Sequence, residues 1–504
     1  MELCNRLCRF IGICDFYGAA SEAIGLRLED RLKNFADIER SGGNDRAAGS
    51  SLVFALILLQ SLMIPLPSPQ EVLQSVWGYD RFRGNQAEIV EALCRGRDAL
   101  VVMPTGGGKS ICFQVPGLVR PGLAIVVSPL IALMENQVQA LQSKSVAAAL
   151  LHSQLDRETR QQILYRLRCG KLKFLYLSPE TLMSEAIFNQ LATPDLVINS
   201  LIIDEAHCLV QWGDHFRPIY LKLGQVRDRL LQGKHQQIPL SIAAFTATAN
   251  SVEQHTIEQS LQLVQPDRFI DVPYRPNLHL MRQRVWTPRD RRTKLLNFIR
   301  SQSMPQKSSR LSSGIVYVRT RQDAEAIAQW LNTQQISAAP YHAGLTTANK
   351  RQVEADWMDD RICCVVATSA FGMGVDKPDV RWVVQYQPPF WLSEYVQEVG
   401  RAGRDGKPAI GLTLVSERSG MIDAIDHQTW KNSISQLQKH LRNHLASESK
   451  TTIDLVKAIP AESEVKRYLN DRRCRWVYIQ QFFAGESRTS LKPCGHCDRC
   501  SPSR

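Results

Sequence analysis

From residue 98 onward the chain alternates short apolar runs with amphipathic stretches, and this alternation constrains the fold more than any other feature. The runs DALVVMP, AIVVSP, KFLYLSP, SLIIDEA and SIAAFTA are rich in Val, Ile, Leu or Phe and run out into Pro, Ser, Asp or Thr. Helical patterns lie between them, as over residues 159–168. Strand, helix, strand at this spacing builds βαβ units and a parallel sheet. The pattern breaks near 282–310, in MRQRVWTPRDRRTK and the polar SQSMPQKSSRLSSG, then restarts with GIVYV, ICCVVAT, RWVVQY and AIGLTLV. Two α/β lobes are therefore expected, over residues 66–275 and 276–420, followed by a helical, polar region over 421–504. A chain of 504 residues is long enough for roughly three domains.

Residues 1–65 stand apart. Their apolar run SLVFALILLQSLMIPL is interrupted by Gln60 and Ser61 and stops at Pro65. It falls short of the ~20 residues a bilayer span needs, and it begins too late for a signal peptide. No membrane segment is expected, and 1–65 reads as a poorly structured extension or a mis-assigned start, with Met63 as the first true residue.

Within VVMPTGGGKS, residues 101–110, a strand ends at Met103–Pro104 and Thr105, Gly106, Gly107 and Gly108 turn into a helix starting near Ser110. Backbone amides turned inward, together with a helix N-terminus, suit phosphate groups. Lys109 would reach the β- and γ-phosphates and Ser110 would ligate Mg²⁺. Met103 stands where the general pattern has a further glycine. LIIDEAH, 201–207, delivers Asp204 and Glu205 at the end of an apolar strand. Asp204 is a candidate for Mg²⁺ and Glu205 for polarising the attacking water. In the second lobe VGRAGRDG presents Arg401 and Arg404 three residues apart, on one helical face. Guanidinium groups reaching across a cleft match the charge of a transferring phosphoryl group. The neighbouring ATSAFGMGVDKPDV brings Gly374, which lets backbone approach a ligand, and then Asp376.

A net charge of +12 favours a polyanionic partner, most often nucleic acid. The cysteines do not read as a secreted disulfide framework. Cys363 and Cys364 lie in an apolar run, while Cys4, Cys8 and Cys14 have no plausible partner set. CGHCDRC spaces Cys494, Cys497 and Cys500 by two residues, and Cys474 lies upstream. Four thiolates satisfy tetrahedral Zn²⁺, and a closed shell of four is structural. His496 as a substitute ligand, and four free thiols, are the alternatives.

The ordered set LQSVWGYDRFRGNQ, MPTGGGKS, SPLIALMENQV, LYLSPETL, DEAHCLVQWG, FTATA, YRPNL, GIVYVRTR, YHAGL, ATSAFGMGVDKPDV, QEVGRAGRDG and PCGHCDRC resembles RecQ-family DNA helicases of helicase superfamily two. The resemblance covers about residues 70 to 500. It implies two tandem RecA-like lobes and a small helical zinc-binding region with one-plus-three cysteines. It implies ATP, with Gln86 on the adenine edge and Tyr79 and Arg83 packing its faces, and Arg404 as the arginine finger with Arg401 beside it. His207 and Thr246 would link the ATP site to the nucleic-acid groove. The loop 208–220 resembles an aromatic-rich coupling loop, in which Trp212 and Phe216 would stack on bases and Arg217 would add a cation, core packing being the alternative for the two aromatics. Asp214-His215 reverses the family's usual order and Ile219 replaces an acidic residue. Arginines around Cys474 would form a basic helix on DNA phosphates.

The implied activity is hydrolysis of ATP with 3′–5′ movement on single-stranded DNA and unwinding of forked duplex, in repair and recombination, by a cytoplasmic and monomeric protein. Longer family members continue into a winged-helix domain, so a translocase with weak unwinding is the alternative expectation. An ATPase-dead binding module and an RNA helicase are more distant ones.

Overall fold

The computed structural model describes residues 67–501 apart from 105, 153, 210–217, 233, 235–237, 303–311, 370, 372–376, 417–462 and 485–490. The expectations for 1–65, Thr105, Trp212, Asp214, His215, Phe216, Arg217, Gly374 and Asp376 lie outside the described residues.

Each apolar run forms a strand. The first lobe's strands are β1 (Ala99–Val102), β2 (Leu123–Val127), β3 (Ala148–Leu151), β4 (Phe174–Leu177), β5 (Ile198–Ile203), β6 (Ser241–Thr246) and β7 (Asp267–Ile270), of which β3 and β7 match no quoted run. They pair in the order β3-β4-β2-β5-β6-β1-β7, every pair parallel. The second sheet contains β8 (Leu278–Val285), β9 (Gly314–Tyr317), β10 (Ala338–Tyr341), β11 (Cys364–Ala367), β12 (Trp382–Gln385) and β13 (Ala409–Ser416). Its order is β10-β11-β9-β12-β13-β8, again all parallel.

Helices cover both faces, so the strands read as continuous apolar runs. The two-residue period divides the packing: Leu100 and Val102 join one core and Ala99 and Val101 the other. Ile315 and Tyr317 are separated from Val316 and Val318 in the same way.

The first part of the stretch expected to break the pattern does not, while residues 303–311 of its polar loop lie outside the described residues. Met281–Val285 belongs to β8, which pairs along its length with β13. An edge strand keeps one side near solvent and so tolerates Arg282, Gln283 and Arg284. A helix, Pro288–Ser301, follows at once, capped by Thr287 with proline at its first turn. At the far end, helices Glu464–Asn470 and Arg475–Ala484 contribute Val465, Tyr468, Trp476, Ile479 and Phe483 to the second lobe's core rather than forming their own. Among the described residues no helix is long and apolar enough to cross a membrane.

Candidate nucleotide site and zinc centre

Sheet order brings the predicted site together. Strands β5, β6 and β1 are neighbours, so their C-terminal ends place Asp204, Thr246 and the glycine loop side by side. Open α/β sheets bind ligands in that crevice. The Met103 amide donates to the Thr246 carbonyl at 3.0 Å, and the Asp204 amide to that of Val127 at 2.8 Å. Gly108 caps the helix Lys109–Val119 with φ +78°, and a Cβ there would run into the Gln86 amide. Glycine is required at this position for both reasons.

Gln86 is buried, and its amide faces the loop: Nε2 donates to the Gly107 carbonyl at 3.0 Å while Oε1 accepts from the Arg83 amide at 2.9 Å. The residue expected on an adenine edge here braces the phosphate loop, because a buried amide must be satisfied. The Arg83 guanidinium lies 5.7 Å from the centre of the Tyr79 ring, and Tyr79 is 46% exposed. Lys109 Nζ lies 3.4 Å from the Met103 carbonyl oxygen, and Ser110 is partly exposed behind it.

The two carboxyls are pushed in opposite directions. Burial and the neighbouring Glu205 raise Asp204 to about 6, against the pull of Lys109. Burial also works against charge on Glu205, but Lys109, His207 and Arg401 overcome it and hold that carboxyl low. Neighbouring carboxyls pushed apart in this way take different roles. Glu205 adopts φ +51°, a left-handed conformation uncommon outside glycine. His207 Nδ1 lies 3.2 Å from Glu205 Oε2 and 3.3 Å from Thr246 Oγ1. Thr246 Oγ1 donates to the Thr248 carbonyl at 3.2 Å, and Gln397 Nε2 of the second lobe donates to Thr248 Oγ1 at 3.1 Å. A polar chain thus runs from Glu205 into the other lobe.

Sequence reasoning passed over Thr248, Gln397 and Gln137, whose side chain favours the ionised form of Asp204. All three fall inside quoted motifs, FTATA, QEVGRAGRDG and SPLIALMENQV, but nothing in the string says which polar residue turns inward.

In the second lobe the helix Leu392–Val399 leads into the turn bearing Arg401 and Arg404. Both line a small cavity with Ile315, Trp357, Phe371 and Lys377. The charge of Arg401 reaches Glu205, across the gap between lobes.

The four cysteine sulfurs of Cys474, Cys494, Cys497 and Cys500 lie within 4.8 Å of one another. Cys494–Cys500, Cys497–Cys474 and Cys497–Cys500 are 3.9, 3.8 and 3.6 Å apart. Zn–S bonds of ~2.3 Å in a tetrahedron separate sulfurs by roughly 3.8 Å, so this donor set fits zinc. His496 instead turns Nδ1 to the Cys494 carbonyl at 2.8 Å. Of the arginines near Cys474, Arg475 is not part of a free basic face, and Arg473, though exposed, is paired. Arg475 is 2% exposed, holds Asp498 at 2.8 Å and donates to the carbonyls of Tyr468 and Leu469. Arg473 pairs with Asp471 at 2.8 Å.

The DEAD/DEAH box helicase family model matches residues 83–256, and the helicase conserved C-terminal domain model matches 291–406. The chain is 43% identical over 482 residues to the ATP-dependent DNA helicase RecQ of Synechocystis sp., a match spanning 87% of this chain and 99% of that one. It is 36% identical over 442 residues to the ATP-dependent DNA helicase RecQ of Haemophilus influenzae, spanning 88% of this chain and 65% of that one. Among solved structures, Mycobacterium smegmatis helicase Lhr bound to ssDNA and AMP-PNP aligns with a TM-score of 0.56 at 19% identity, covering 75% of this chain and 50% of that one. DEAD-box helicase Mss116 bound to ssRNA and UDP-BeF aligns with 0.57 at 14% identity, covering 85% and 92%. These last two likenesses concern the fold alone. With a relative matched at 43% identity over nearly its whole length, the chain belongs to the RecQ family.

Proposed function

We propose that this protein is an ATP-dependent DNA helicase whose ATP site is divided between the two lobes. The observation that carries the reading is the convergence of the glycine loop, Asp204 and Glu205 in one crevice, where Lys109 and His207, with a smaller contribution from Arg401 of the other lobe, hold Glu205 ionised. Lys109 would neutralise the β- and γ-phosphates, and Glu205 would orient and polarise the attacking water. Arg401 and Arg404 would meet the charge that develops on the transferred group. Ser110 and Asp204 would hold Mg²⁺, which when bound supplies charge neutralisation of the phosphate oxygens. Gly374 and Asp376 belong to the same proposed site on sequence alone. The four cysteines would hold a structural Zn²⁺.

Because the site needs groups from both lobes, the triphosphate would favour their closure and hydrolysis their release. The chain Glu205–His207–Thr246–Thr248–Gln397 supports such coupling, since it joins the hydrolytic carboxyl to the second lobe. Stacking by Trp212 and Phe216, 3′–5′ movement, forked DNA as substrate, a role in repair and recombination, a monomeric state and a cytoplasmic location complete the proposal. Residues 66–275, 276–420 and 421–504 are its units.

The test is the ATPase rate with and without single-stranded DNA at two salt concentrations. DNA should stimulate hydrolysis, and the stimulation should shrink at the higher salt, because backbone contacts release counterions. Lys109→Ala should abolish the rate in every condition. Hydrolysis indifferent to both DNA and this substitution would refute the proposal.

A further inference from the structure

We propose that the segment joining the lobes, through Arg275 and Asn277, positions the turn that carries Arg401 and Arg404 and thereby sets the rate of hydrolysis. The inference rests on the site proposed above and adds to it two residues outside that site.

The motif YRPNL occupies 274–278, between β7 and β8. Arg275 Nη1 donates to the Gly400 carbonyl at 3.4 Å, and Nη2 to those of Ala402, at 3.3 Å, and Gly403. Asn277 Nδ2 donates to the carbonyls of Gly403 and Lys407, both at 2.8 Å. Arg275 Nε lies 3.4 Å from Asn277 Oδ1, so the two side chains support one another. Four carbonyls of one turn, at 400, 402, 403 and 407, are thereby held by two side chains.

The chemistry suits the place. The turn follows the C-terminus of the helix Leu392–Val399, where carbonyls lack helical partners and the backbone dipole is negative. A planar guanidinium offers several donors in a fixed fork, which a lysine ammonium does not. Gly403 has φ +62°, and a Cβ on it would come within 2.6 Å of Asn277 Nδ2. The backbone of the turn is therefore in direct contact with the Asn277 side chain of the linker. The amides of the same turn face the opposite way: Gly403 donates to the Val380 carbonyl at 2.8 Å and Asp405 to that of Pro378 at 3.1 Å. Arg401 lies between Gly400 and Ala402, and Arg404 directly follows Gly403. A change in the linker's grip moves both guanidinium groups without touching either side chain.

The linker's other end is tied to the nucleotide side. The Asp271 amide donates to the Val102 carbonyl at 2.8 Å, and Asp271 Oδ1 accepts from Asn85 Nδ2 at 2.8 Å. Asn85 immediately precedes Gln86, the residue bracing the phosphate loop. Seven residues, 271–277, thus span from the phosphate loop's support to the arginine turn.

Arg275→Lys and Asn277→Asp test the proposal on the full-length protein. Lysine keeps the charge but reaches one carbonyl cluster at most; aspartate keeps the shape but presents an acceptor to two carbonyls. Each variant should lower kcat of DNA-stimulated ATP hydrolysis at least tenfold. KM for ATP, affinity for single-stranded DNA and Tm should remain near those of the parent protein. Lys109→Ala runs in parallel. If it abolishes hydrolysis while both linker variants keep kcat within twofold, the linker proposal is overturned and the ATP site stands. If Lys109→Ala leaves hydrolysis intact, the site itself is wrong and the linker proposal falls with it. Loss of folding in both linker variants, or parallel changes in kcat, KM and Tm, overturns positioning in favour of a structural staple.

Discussion

Removing the Arg319 guanidinium should cost the second lobe about 3–5 kcal/mol at pH 8 and much less at pH 5.5. Arg319 holds Glu394 at 2.8 Å and Glu398 at 2.6 Å, and its Nε donates to the Gln387 carbonyl at 3.2 Å. Its side chain is 14% exposed and that of Glu398 4%. The other oxygen of Glu398 accepts from Gln385 at 2.7 Å, and Gln385 in turn accepts from Thr413 at 2.9 Å. Breaking a buried pair from one side leaves an uncompensated charge, which costs about 3–5 kcal/mol. In Arg319→Ala the two carboxyls, one helical turn apart, would also repel each other.

The pH dependence follows from Glu398, which burial has already raised to about 7 despite Arg319. The folded protein therefore keeps a proton that the unfolded chain releases near its ordinary value, and stability falls as pH climbs through that window. Without Arg319 the window extends higher, so the variant's deficit must grow from pH 5.5 to pH 8. Denaturant unfolding at both pH values measures this, and adding Glu394→Gln and Glu398→Gln should recover most of the loss. A deficit under about 1 kcal/mol at pH 8, or one larger at pH 5.5, would refute the reasoning, since either means that water rather than Arg319 satisfies these carboxyls.

Cys497→Ser should remove zinc. Cys497 is fully buried and its sulfur lies 3.6–3.8 Å from two others, so plasma emission spectrometry should find about one zinc per parent chain and a small fraction of that in the variant. Tm should fall as well, because Tyr468, Trp476 and Cys497 share the second lobe's core. Glu253→Gln should stabilise the protein at pH 8.5 and leave it unchanged at pH 5. Burial, then Glu464, raise Glu253 to about 8, so its charged form penalises the fold as pH rises past the ordinary carboxyl value. Glutamine still accepts from the Asn250 amide, as Glu253 does at 2.7 Å. The gain, discounted for partial exposure, is about 1 kcal/mol, or about 2–4 °C in Tm. An equal effect at both pH values would show that the charge is irrelevant.

Much of this architecture was legible because burial on both faces leaves its mark residue by residue. β1, β2, β4, β5 and β6 coincide with the apolar runs, and the ends of those runs located Asp204 and the glycine loop. β3, β7, β8 and β10 were missed. They are edge or near-edge strands, and Ala148–Leu151 or Asp267–Ile270 are too short or too polar to stand out. The cysteine quartet was legible because metal geometry constrains spacing. The fate of individual polar side chains was not. Gln86, Arg475 and Arg319 each belong to residue types that usually face solvent, and here each is spent on partners far away in sequence. Such pairings depend on how strands and helices are brought together, and no local pattern encodes that.

The linker's contacts also divide it between the two lobes. Asp271 is tied to the first lobe through Val102 and Asn85. Arg275 and Asn277 are tied to the second through the arginine turn, and the Tyr274 ring packs 5.6 Å from that of Trp476, in the second lobe's core. Only Val272 and Pro273 separate the two sets of ties. Contacts between the lobes themselves include weak kinds: the Gln397–Thr248 hydrogen bond, the exposed Arg351–Glu135 pair at 3.3 Å, and the partly buried Trp391 against the first lobe's core. An exposed pair contributes under about 1 kcal/mol and a neutral hydrogen bond about 1. Glu464, raising the cost of ionising Glu253 across the same interface, favours separation at high pH. Shifting two states from 1:99 to 99:1 requires about 5.5 kcal/mol of differential binding. In the proposed closure, a triphosphate meeting Lys109 on one side and Arg401 and Arg404 on the other would supply that difference, with the arginine turn moving as one body with Arg275 and Asn277, which hold its carbonyls.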